Sequence, residues 1–356
     1  MKKRIGKIQK ARKKKELEAF LVDSDVNRYY CTGFRATAGH VLFTPDNCYL
    51  LVDFRYYEQA QKMVDGYQVL EYKEDFVDTL KNLLEEEGID ELGFESTAIS
   101  YQKYEKYNDK LSPQLVPVKG LIEELRLIKE KEEIESIKKA VEIADSAFEH
   151  ILHYIKPGLR EDEIALELEY YMKKNGGEKN SFDFIVASGK RSSLPHGLAG
   201  DRKLKKGDLV ILDFGTKWEG YCSDITRTVI LGSAGKKQEE IYNLVLEAQK
   251  CLRQEICPGI TGKEADALAR DIIETAGYGD YFGHGSGHGL GLRVHEGPRL
   301  SHKSDRVLEP GMVVTAEPGV YIPDFGGVRI EDNLVITTDG CEVLSSSPRK
   351  LEFIII

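Results

Sequence analysis

The sequence predicts an α/β (α+β) protein of two domains, and three observations lead to this prediction. Between residues 17 and 117, short apolar runs alternate with helical patterns, which is typical of an α/β layer domain. After residue 156, a unit of helices and apolar strands occurs twice, which indicates a duplicated fold. The 356 residues are many for one core, so domains 1–120 and 121–356 are expected.

The first domain is predicted to begin with a basic helix in which Ile5 and Ile8 face inward. Apolar runs then predict strands at residues 19–22, 40–43, 48–52, 68–70, 92–94 and 115–118, and helical patterns predict helices at 54–64 and 75–87. The segment Thr44-Pro45-Asp46-Asn47 predicts a hairpin turn between the second and third of these strands.

The second domain is predicted to begin with one long helix. Apolar side chains recur near helical period from residue 122 to residue 155, and Lys156-Pro157-Gly158 ends the pattern. A helix follows that ends near Gly176-Gly177. The same order recurs later in the chain, where Cys257-Pro258-Gly259 precedes a helix that ends near Gly277.

Each repeat then carries a strand that follows a glycine and ends with an acid. Gly207 precedes Asp213 by six residues, and Gly311 precedes Glu317 by six. The second acids of the two repeats are Asp224 and Glu331. A duplicated helix–helix–hairpin unit would bring two carboxylates from each half to a shared pseudo-twofold interface.

The four acids and one histidine form a candidate metal site. Buried carboxylates are costly unless they are paired with cations or bound to metal. His288 lies in residues 282–292, where five glycines permit close backbone approach. This donor set suits Mn²⁺, Co²⁺, Fe²⁺ or Zn²⁺, and two such ions about 3.5–4 Å apart can deprotonate a water at neutral pH. Hydrolysis of a carbonyl or phosphoryl centre is therefore expected.

Four further side chains are expected near this site. His196, His284 and His295 can donate hydrogen bonds to a substrate carbonyl or transfer protons near neutral pH. Arg329 stands two residues before Glu331 on the same strand face, where a guanidinium would keep a carboxylate ionised or oriented. An ordinary salt bridge on that face would explain this pair equally well.

The composition excludes several classes of partner and environment. The net charge of −10 argues against nucleic acid as a partner. No apolar run approaches the roughly 20 residues that span a bilayer, and no signal-peptide core follows the basic N-terminus, so no membrane association is expected. The six cysteines form no CxxC pair, which indicates a reducing, cytoplasmic location.

Five segments carry a resemblance to a known family. They are Ile211-Leu212-Asp213-Phe214-Gly215, Ser223-Asp224-Ile225-Thr226-Arg227-Thr228, Gly287-His288-Gly289-Leu290-Gly291-Leu292-Arg293-Val294-His295-Glu296, Ala316-Glu317-Pro318-Gly319-Val320-Tyr321 and Val328-Arg329-Ile330-Glu331-Asp332-Asn333. From about Arg126 to the C-terminus, the chain resembles the pita-bread metallopeptidases, and within them the Xaa-Pro peptidases (prolidase and aminopeptidase P). Residues 1–120 are similar to the creatinase/prolidase-like N-terminal domain of that family.

The resemblance implies a centre of two divalent ions, Mn²⁺ or Co²⁺, with Zn²⁺ or Fe²⁺ as alternatives. The implied ligands are Asp213, Asp224, His288, Glu317 and Glu331. Asp224 and Glu331 would bridge the ions, and Glu317 would also accept a proton from the bridging water.

The resemblance also implies the substrate contacts and the assembly. His196 and His295 would stabilise the tetrahedral intermediate and bind the scissile amide, and His284 would lie near the proline pocket. Tyr321 and Arg329 match supporting positions around the site. The implied substrates are short proline-containing peptides, cleaved between an N-terminal residue and proline by a homodimer or a higher assembly.

Two alternatives stay open at this point. Methionine aminopeptidase has the same five ligands, but Arg329 and the separate N-terminal domain favour the Xaa-Pro enzymes. A non-catalytic peptide-binding module on this fold typically loses ligands, and all five are present here, which also argues against a creatinase-like enzyme without metal. Whether the enzyme is a dipeptidase or an aminopeptidase is left undecided by the sequence.

Overall fold

The computed structural model describes residues 2–356. The chain divides into two compact units, one that ends at Arg126 and one that runs from Leu127 to Ile356. The domain limits 1–120 and 121–356 derived from the sequence remain a prediction.

The first unit is a six-stranded mixed sheet with six helices. The helices are α1 Lys2–Lys14, α2 Asp25–Thr32, α3 Phe54–Met63, α4 Phe76–Glu86, α5 Tyr101–Lys110 and α6 Leu121–Arg126, and the strands are β1 Ala19–Val22, β2 His40–Phe43, β3 Cys48–Val52, β4 Gln68–Glu71, β5 Glu91–Glu95 and β6 Gln114–Val118. The strand order is β4-β3-β2-β1-β5-β6. All predicted strands and helices of this unit are confirmed, and the hairpin pairs Phe43 with Cys48 across the predicted turn.

Two helices of the first unit lie where the pattern of apolar residues predicts none. Ser24 and Ser100 begin α2 and α5 because their hydroxyl oxygens accept hydrogen bonds from backbone N–H groups in the first turn. In α5, Tyr107 is the one buried residue, so almost no apolar stripe marks the helix. Capping residues, rather than periodicity, define these helices.

The second unit contains four α-helices, twelve strands and three short 3-10 helices at Gly189–Ser193, Gly279–Tyr281 and Leu351–Phe353. The helices are α7 Lys131–Tyr154, α8 Glu161–Lys174, α9 Lys236–Glu255 and α10 Gly262–Thr275, and the strands are β7 Ile185–Ser188, β8 Leu209–Phe214, β9 Lys217–Trp218, β10 Tyr221–Cys222, β11 Ile225–Ile230, β12 Gly287–Gly289, β13 Glu296–Leu300, β14 Val313–Ala316, β15 Gly319–Ile322, β16 Gly326–Arg329, β17 Asp332–Ile336 and β18 Cys341–Val343.

The single long helix predicted from residue 122 to residue 155 is wrong. The chain forms α6 and α7 instead, with residues 127–130 between them outside any helix. The backbone N–H of Lys129 donates to the Gly311 carbonyl (2.9 Å), and the Lys129 ammonium pairs with Glu296 (2.9 Å). At Glu130, the backbone N–H donates to the Glu133 carboxylate (2.9 Å), which starts α7. These contacts interrupt a helix whose apolar spacing continues across the break.

The predicted duplication is confirmed in the second unit. In the first half, α7 and α8 precede the antiparallel strands of a sheet with order β11-β8-β7. In the second half, α9 and α10 precede β12, β14 and β17, which are adjacent in the order β13-β12-β14-β17-β18. A single apolar core joins both halves, and each fully buried aliphatic side chain in it contributes about 1.5–3 kcal/mol.

Two features bear on the environment of the chain. All six cysteines are free thiols. Among the helices described in residues 2–356, none combines the length and apolar character that a membrane span requires.

Candidate active site

The five predicted metal ligands come from strands of both halves of the second unit. Asp213 lies in β8, Asp224 directly precedes β11, His288 lies in β12, Glu317 directly follows β14, and Glu331 directly precedes β17. Because β8 pairs with β11 and β14 pairs with β17, each half brings its two acids to one end of a strand pair.

The five side chains meet in one cluster, in which Glu317 is half-buried and the other four are buried. The His288 Nε2 atom is 3.3 Å from a Glu317 oxygen and 3.6 Å from an Asp224 oxygen. One ligand atom from each of Asp224, His288 and Glu331 lies within 4.8 Å of the other two. Asp213 and Glu317 lie outside that closest group but line the same cavity.

Three carboxylate oxygens of this cluster indicate whether it fits a metal centre. Asp213 Oδ1, Asp224 Oδ1 and Glu331 Oε1 are buried and have no hydrogen-bond partner in the described part of the chain. A buried carboxylate oxygen without a donor is costly, and native structures rarely leave one unless an ion or water completes it. The donor set of four carboxylates and one imidazole therefore fits divalent cations of the harder or borderline kind.

The pKa shifts in the cluster also indicate a site for cations. Burial raises the pKa of Asp224 and Glu331 well above the ordinary carboxyl value, and the other site carboxylates raise both further. The pKa of Glu317 is also raised, chiefly by burial. Burial lowers the pKa of His288 to about 4, so its imidazole is neutral at pH 7. Without added positive charge, the folded chain disfavours the ionised form of three of these acids.

His288 is oriented as a metal-binding imidazole would be. Its Nδ1 atom lies 3.1 Å from the Gly289 carbonyl oxygen, which can only accept, so Nδ1 carries the proton. The Nε2 lone pair is then directed at the carboxylates. A backbone acceptor on the second ring nitrogen is the usual way in which a protein sets the tautomer of a histidine ligand.

The strand register identifies the residue of the first half that is equivalent to His288. Ile185 in β7 pairs with Asp213, and Ser286 bonds to the backbone N–H of Glu317 (2.8 Å). Ile185 and Ser286 are thus equivalent positions. His288 follows Ser286 by two residues, and Ala187 follows Ile185 by two residues. Ala187 is fully buried in a small apolar cluster, so the first half has a methyl group where the second half has an imidazole.

A hydrogen-bonded chain extends from Asp213 to His284. Arg329 Nη2 donates to Asp213 Oδ2 (2.5 Å), and Nη1 donates to the Tyr321 hydroxyl (2.7 Å). Because a guanidinium cannot accept, the Tyr321 hydroxyl donates to His284 Nε2 (2.8 Å). Burial raises the pKa of Tyr321 to about 12, so the hydroxyl keeps this proton. The chain orients Asp213 and fixes the His284 ring.

A second cluster holds the backbone behind Glu331. Asp332 is fully buried and pairs with Arg227 (2.8 Å), Arg253 (3.4 Å) and Arg349 (2.5 Å). Arg227 Nη1 also donates to the Glu331 carbonyl oxygen (2.5 Å). Buried ion pairs of this kind are costly to break, because the loss of one partner leaves an uncompensated charge. The cluster therefore fixes the position from which the Glu331 side chain enters the site.

The cluster opens into a cavity of about 770 Å³. The five predicted ligands line it, together with His196, His284, His295 and Arg329. The His295 ring lies edge-to-face with His288, 4.4 Å between centroids, and burial lowers the pKa of His295 to about 4. Tyr321 does not line the cavity and contacts it only through His284 and Arg329.

The cavity also has lining residues that the sequence patterns do not indicate. Arg299 in β13 pairs in register with His288, and its guanidinium has no carboxylate partner among residues 2–356. Asp183, Ile185 and Leu198, from the first half of the second unit, also line the cavity. Asp183 lies two residues before β7, so the alternation of strand faces does not identify it. No local signal identifies Arg299.

Comparison with known proteins yields consistent matches along the chain. The sequence model of Metallopeptidase family M24 matches residues 135–338, and that of the Creatinase/Prolidase N-terminal domain matches residues 4–128. The chain is 44% identical over 355 residues to the Xaa-Pro dipeptidase of Pyrococcus furiosus, which covers 99% of this chain and 100% of that relative.

Similar solved structures also include Xaa-Pro peptidases. The Xaa-Pro dipeptidase from Bacillus anthracis matches with a TM-score of 0.98 and 47% identity over 99% of both chains. The X-Pro aminopeptidase from Thermotoga maritima matches with a TM-score of 0.90 and 37% identity, over 96% of this chain and 99% of that one. The predicted resemblance and fold class, a creatinase-like domain followed by a duplicated pita-bread domain, are confirmed.

One family model covers more than half of the chain, a dipeptidase matches nearly all of it, and the second unit holds a buried cluster suited to divalent ions. The chain belongs to metallopeptidase family M24, with a Creatinase/Prolidase N-terminal domain, and is a metallopeptidase.

Proposed function

We propose that this enzyme is an Xaa-Pro dipeptidase that hydrolyses the bond between an N-terminal residue and proline with two divalent metal ions. The observation that carries the proposal is a set of three buried carboxylate oxygens that have no partner among residues 2–356. They lie beside an imidazole whose Nε2 carries no proton. The relatives named Xaa-Pro dipeptidase match almost the whole chain, which supports the substrate class.

The proposed ligands of the two ions are Asp213, Asp224, His288, Glu317 and Glu331, with Asp224 and Glu331 shared between the ions. Bound divalent ions would supply a nucleophilic water at neutral pH and polarise the scissile carbonyl. Glu317 is the proposed proton acceptor, because burial raises the pKa of its carboxyl.

The histidines of the cavity are the proposed substrate contacts. His295 lies against His288, and its lowered pKa makes it a neutral imidazole that can donate one hydrogen bond to the carbonyl oxygen at the reacting centre. His196 lies at the mouth and is exposed, which suits contact with a substrate amide. His284 is the proposed residue beside the proline pocket, and the hydrogen bond from the Tyr321 hydroxyl, which does not line the cavity, keeps the His284 ring fixed.

Arg299 supports dipeptidase rather than aminopeptidase activity. A dipeptide ends in a free carboxylate one residue beyond the scissile bond, whereas a longer peptide continues as a neutral amide. The Arg299 guanidinium faces the cavity opposite His288 and has no carboxylate partner in residues 2–356, so it can pair with that carboxylate. A charge-assisted hydrogen bond of this kind contributes about 1.5–3 kcal/mol, or roughly 10- to 150-fold in kcat/KM.

A peptide panel tests this function. We expect the metal-loaded enzyme to hydrolyse Ala-Pro, to hydrolyse Ala-Pro-amide about 10- to 150-fold less efficiently, and to be inactive on Met-Ala-Ser. Ala-Pro-Ala should be cleaved no better than the amide. Cleavage of the methionyl peptide alone would point to methionine aminopeptidase, and equal rates on Ala-Pro and Ala-Pro-Ala would argue for an aminopeptidase.

The metal, assembly and location are also proposals. We expect Mn²⁺ or Co²⁺ to support the highest activity, with Zn²⁺ or Fe²⁺ as alternatives, because the donors are mainly oxygen atoms. The six free thiols suit a reducing cytoplasm. A homodimer is proposed from the family resemblance.

A further inference from the structure

The segment that carries His196 is held at both ends by one buried carboxylate. Residues 189–199, called here the His196 loop, contribute Pro195, His196 and Leu198 to the cavity wall. Glu161, the first residue of α8, has no exposed surface. Its carboxylate accepts hydrogen bonds from the residues that flank this loop on either side.

Every accepting position of the Glu161 carboxylate is used. Oε1 accepts from the backbone N–H (2.8 Å) and the hydroxyl (2.6 Å) of Ser188. Oε2 accepts from the backbone N–H of Gly200 (3.2 Å) and pairs with Arg191. All four partners are donors, so only an ionised carboxylate satisfies the site.

The contacts continue from Glu161 into the loop itself. Arg191 Nη2 donates to the Leu198 carbonyl oxygen (2.9 Å), two residues beyond His196. A further contact joins the loop to the strand that bears Arg329, because the backbone N–H of Gly327 donates to the Ser192 hydroxyl (2.9 Å). Glu161, which does not line the cavity, therefore contributes to the position of His196 together with the Ser192 contact.

The second half of the unit has a comparable arrangement. On α10, Asp266 accepts from the backbone N–H and the hydroxyl of Ser286, both at 2.8 Å. Its partner Arg270 donates to the carbonyl oxygen of His284 (2.6 Å). In both halves, a carboxylate and an arginine thus join the second helix to the segment that presents histidines to the cavity.

We infer that Glu161 is a positioning residue for His196. The inference deepens the proposed function and rests on it for the role of His196. Replacement of Glu161 by glutamine keeps the shape but turns an N–H group toward a donor and removes the ion pair with Arg191. The His196 loop then loses the contact that joins its two ends. The metal ligands keep all of their own hydrogen bonds and ion pairs.

The test compares Glu161→Gln, His196→Ala and the double variant with the wild type. We expect Glu161→Gln to lower kcat/KM for Ala-Pro about ten- to a hundredfold with bound metal unchanged. In the His196→Ala background, the same substitution should cost less than about twofold, because the residue that it positions is already absent. Full, additive losses in the double variant would overturn the inference.

Asp145→Asn is the matched control. Asp145 is also buried in the same unit and accepts from the backbone N–H groups of Ser346 (2.6 Å) and Ser347 (3.0 Å), which do not line the cavity. We expect it to lower the melting temperature as Glu161→Gln does, and to leave KM and kcat for Ala-Pro unchanged. An equal loss of activity in Asp145→Asn would assign Glu161 a purely structural role.

Amide hydrogen exchange separates this inference from the proposed function. In Glu161→Gln, exchange should accelerate in residues 188–200 and stay unchanged at the metal-ligand strands, whether or not the wild type cleaves Ala-Pro. Unchanged exchange in that segment would contradict the inference even in an active enzyme. If Glu161→Gln does not fold, Arg191→Lys, which keeps the charge but loses the fork that reaches Leu198, should show a smaller loss in the same direction.

Discussion

Replacement of Glu331 by glutamine is expected to abolish both metal binding and Ala-Pro hydrolysis, with a loss of at least about a thousandfold in kcat/KM. Glutamine keeps the volume and can still accept from the Thr226 hydroxyl, which is 2.6 Å from Glu331 Oε2. What it lacks is the negative charge and the second oxygen, Oε1, which is buried and has no donor within residues 2–356. The loss would therefore report on metal ligation and not on packing.

Glu133→Gln is the control for this prediction. Glu133 is a buried glutamate of the same unit, bonded to the Tyr221 hydroxyl (2.8 Å), and lies outside the cavity. Elemental analysis and initial rates should show full metal content and activity for Glu133→Gln, and neither for Glu331→Gln. A fully metallated and active Glu331→Gln would remove Glu331 from the ligand set.

Metal removal is expected to destabilise the protein, and more so as the pH rises. Each ion at a hundred times its dissociation constant contributes about 2.7 kcal/mol, which corresponds to a change in melting temperature of roughly 5–10 °C. In the metal-free chain, burial and mutual repulsion raise the pKa of Asp224, Glu317 and Glu331 above the ordinary carboxyl value. Folding then favours their protonated forms.

The sign of the pH effect follows from these upward shifts. A carboxyl whose pKa is higher in the folded state stabilises that state fully below its ordinary pKa, and the contribution is lost as pH rises through the folded-state pKa. His288 and His295 act oppositely only below about pH 6.5, where an unfolded imidazole takes up a proton. Above that pH, the unfolded imidazoles are neutral and no longer oppose the effect of the carboxylates.

Thermal unfolding from pH 6.5 to 8.5, with and without EDTA, measures this effect. We expect the melting temperature of the metal-free wild type to fall across this range and that of the metal-loaded enzyme to change little. The metal-free Glu331→Gln variant should be more stable than the metal-free wild type at pH 8, because one of the repelling charges is gone. If the metal-free wild type is equally stable at pH 6.5 and pH 8.5, then repulsion among the carboxylates does not destabilise it.

Much of the fold could be predicted from local sequence patterns. The strand that ends in Asp213 and the one that ends near Glu317 each follow a glycine and form a continuous apolar run, so their position is visible in the sequence. The recurrence of the same unit places the four acids at equivalent ends of two strand pairs. Proximity of the acids therefore follows from the repeat before any contact is known.

The parts that could not be predicted depend on partners distant in the chain. The break between α6 and α7 arises from Lys129, whose contacts lie at Gly311 and Glu296. The sequence indicates only an ordinary acidic residue at Glu161, in the first turn of a helix. The groups that donate hydrogen bonds to its carboxylate are 27 to 39 residues away in the chain. Arg299 reads as a surface arginine and lines the cavity only because β13 pairs with β12. Periodicity carries no information about such pairs.

The proposed activity requires that these side chains hold catalytic metal. Titration of the metal-free wild type with Mn²⁺, followed through Ala-Pro hydrolysis and bound metal in the same samples, tests it most directly. We expect no hydrolysis without metal and a plateau in rate when two ions are bound per chain. Hydrolysis by the metal-free chain at the rate of the loaded enzyme, or a chain that binds no Mn²⁺, would contradict the account.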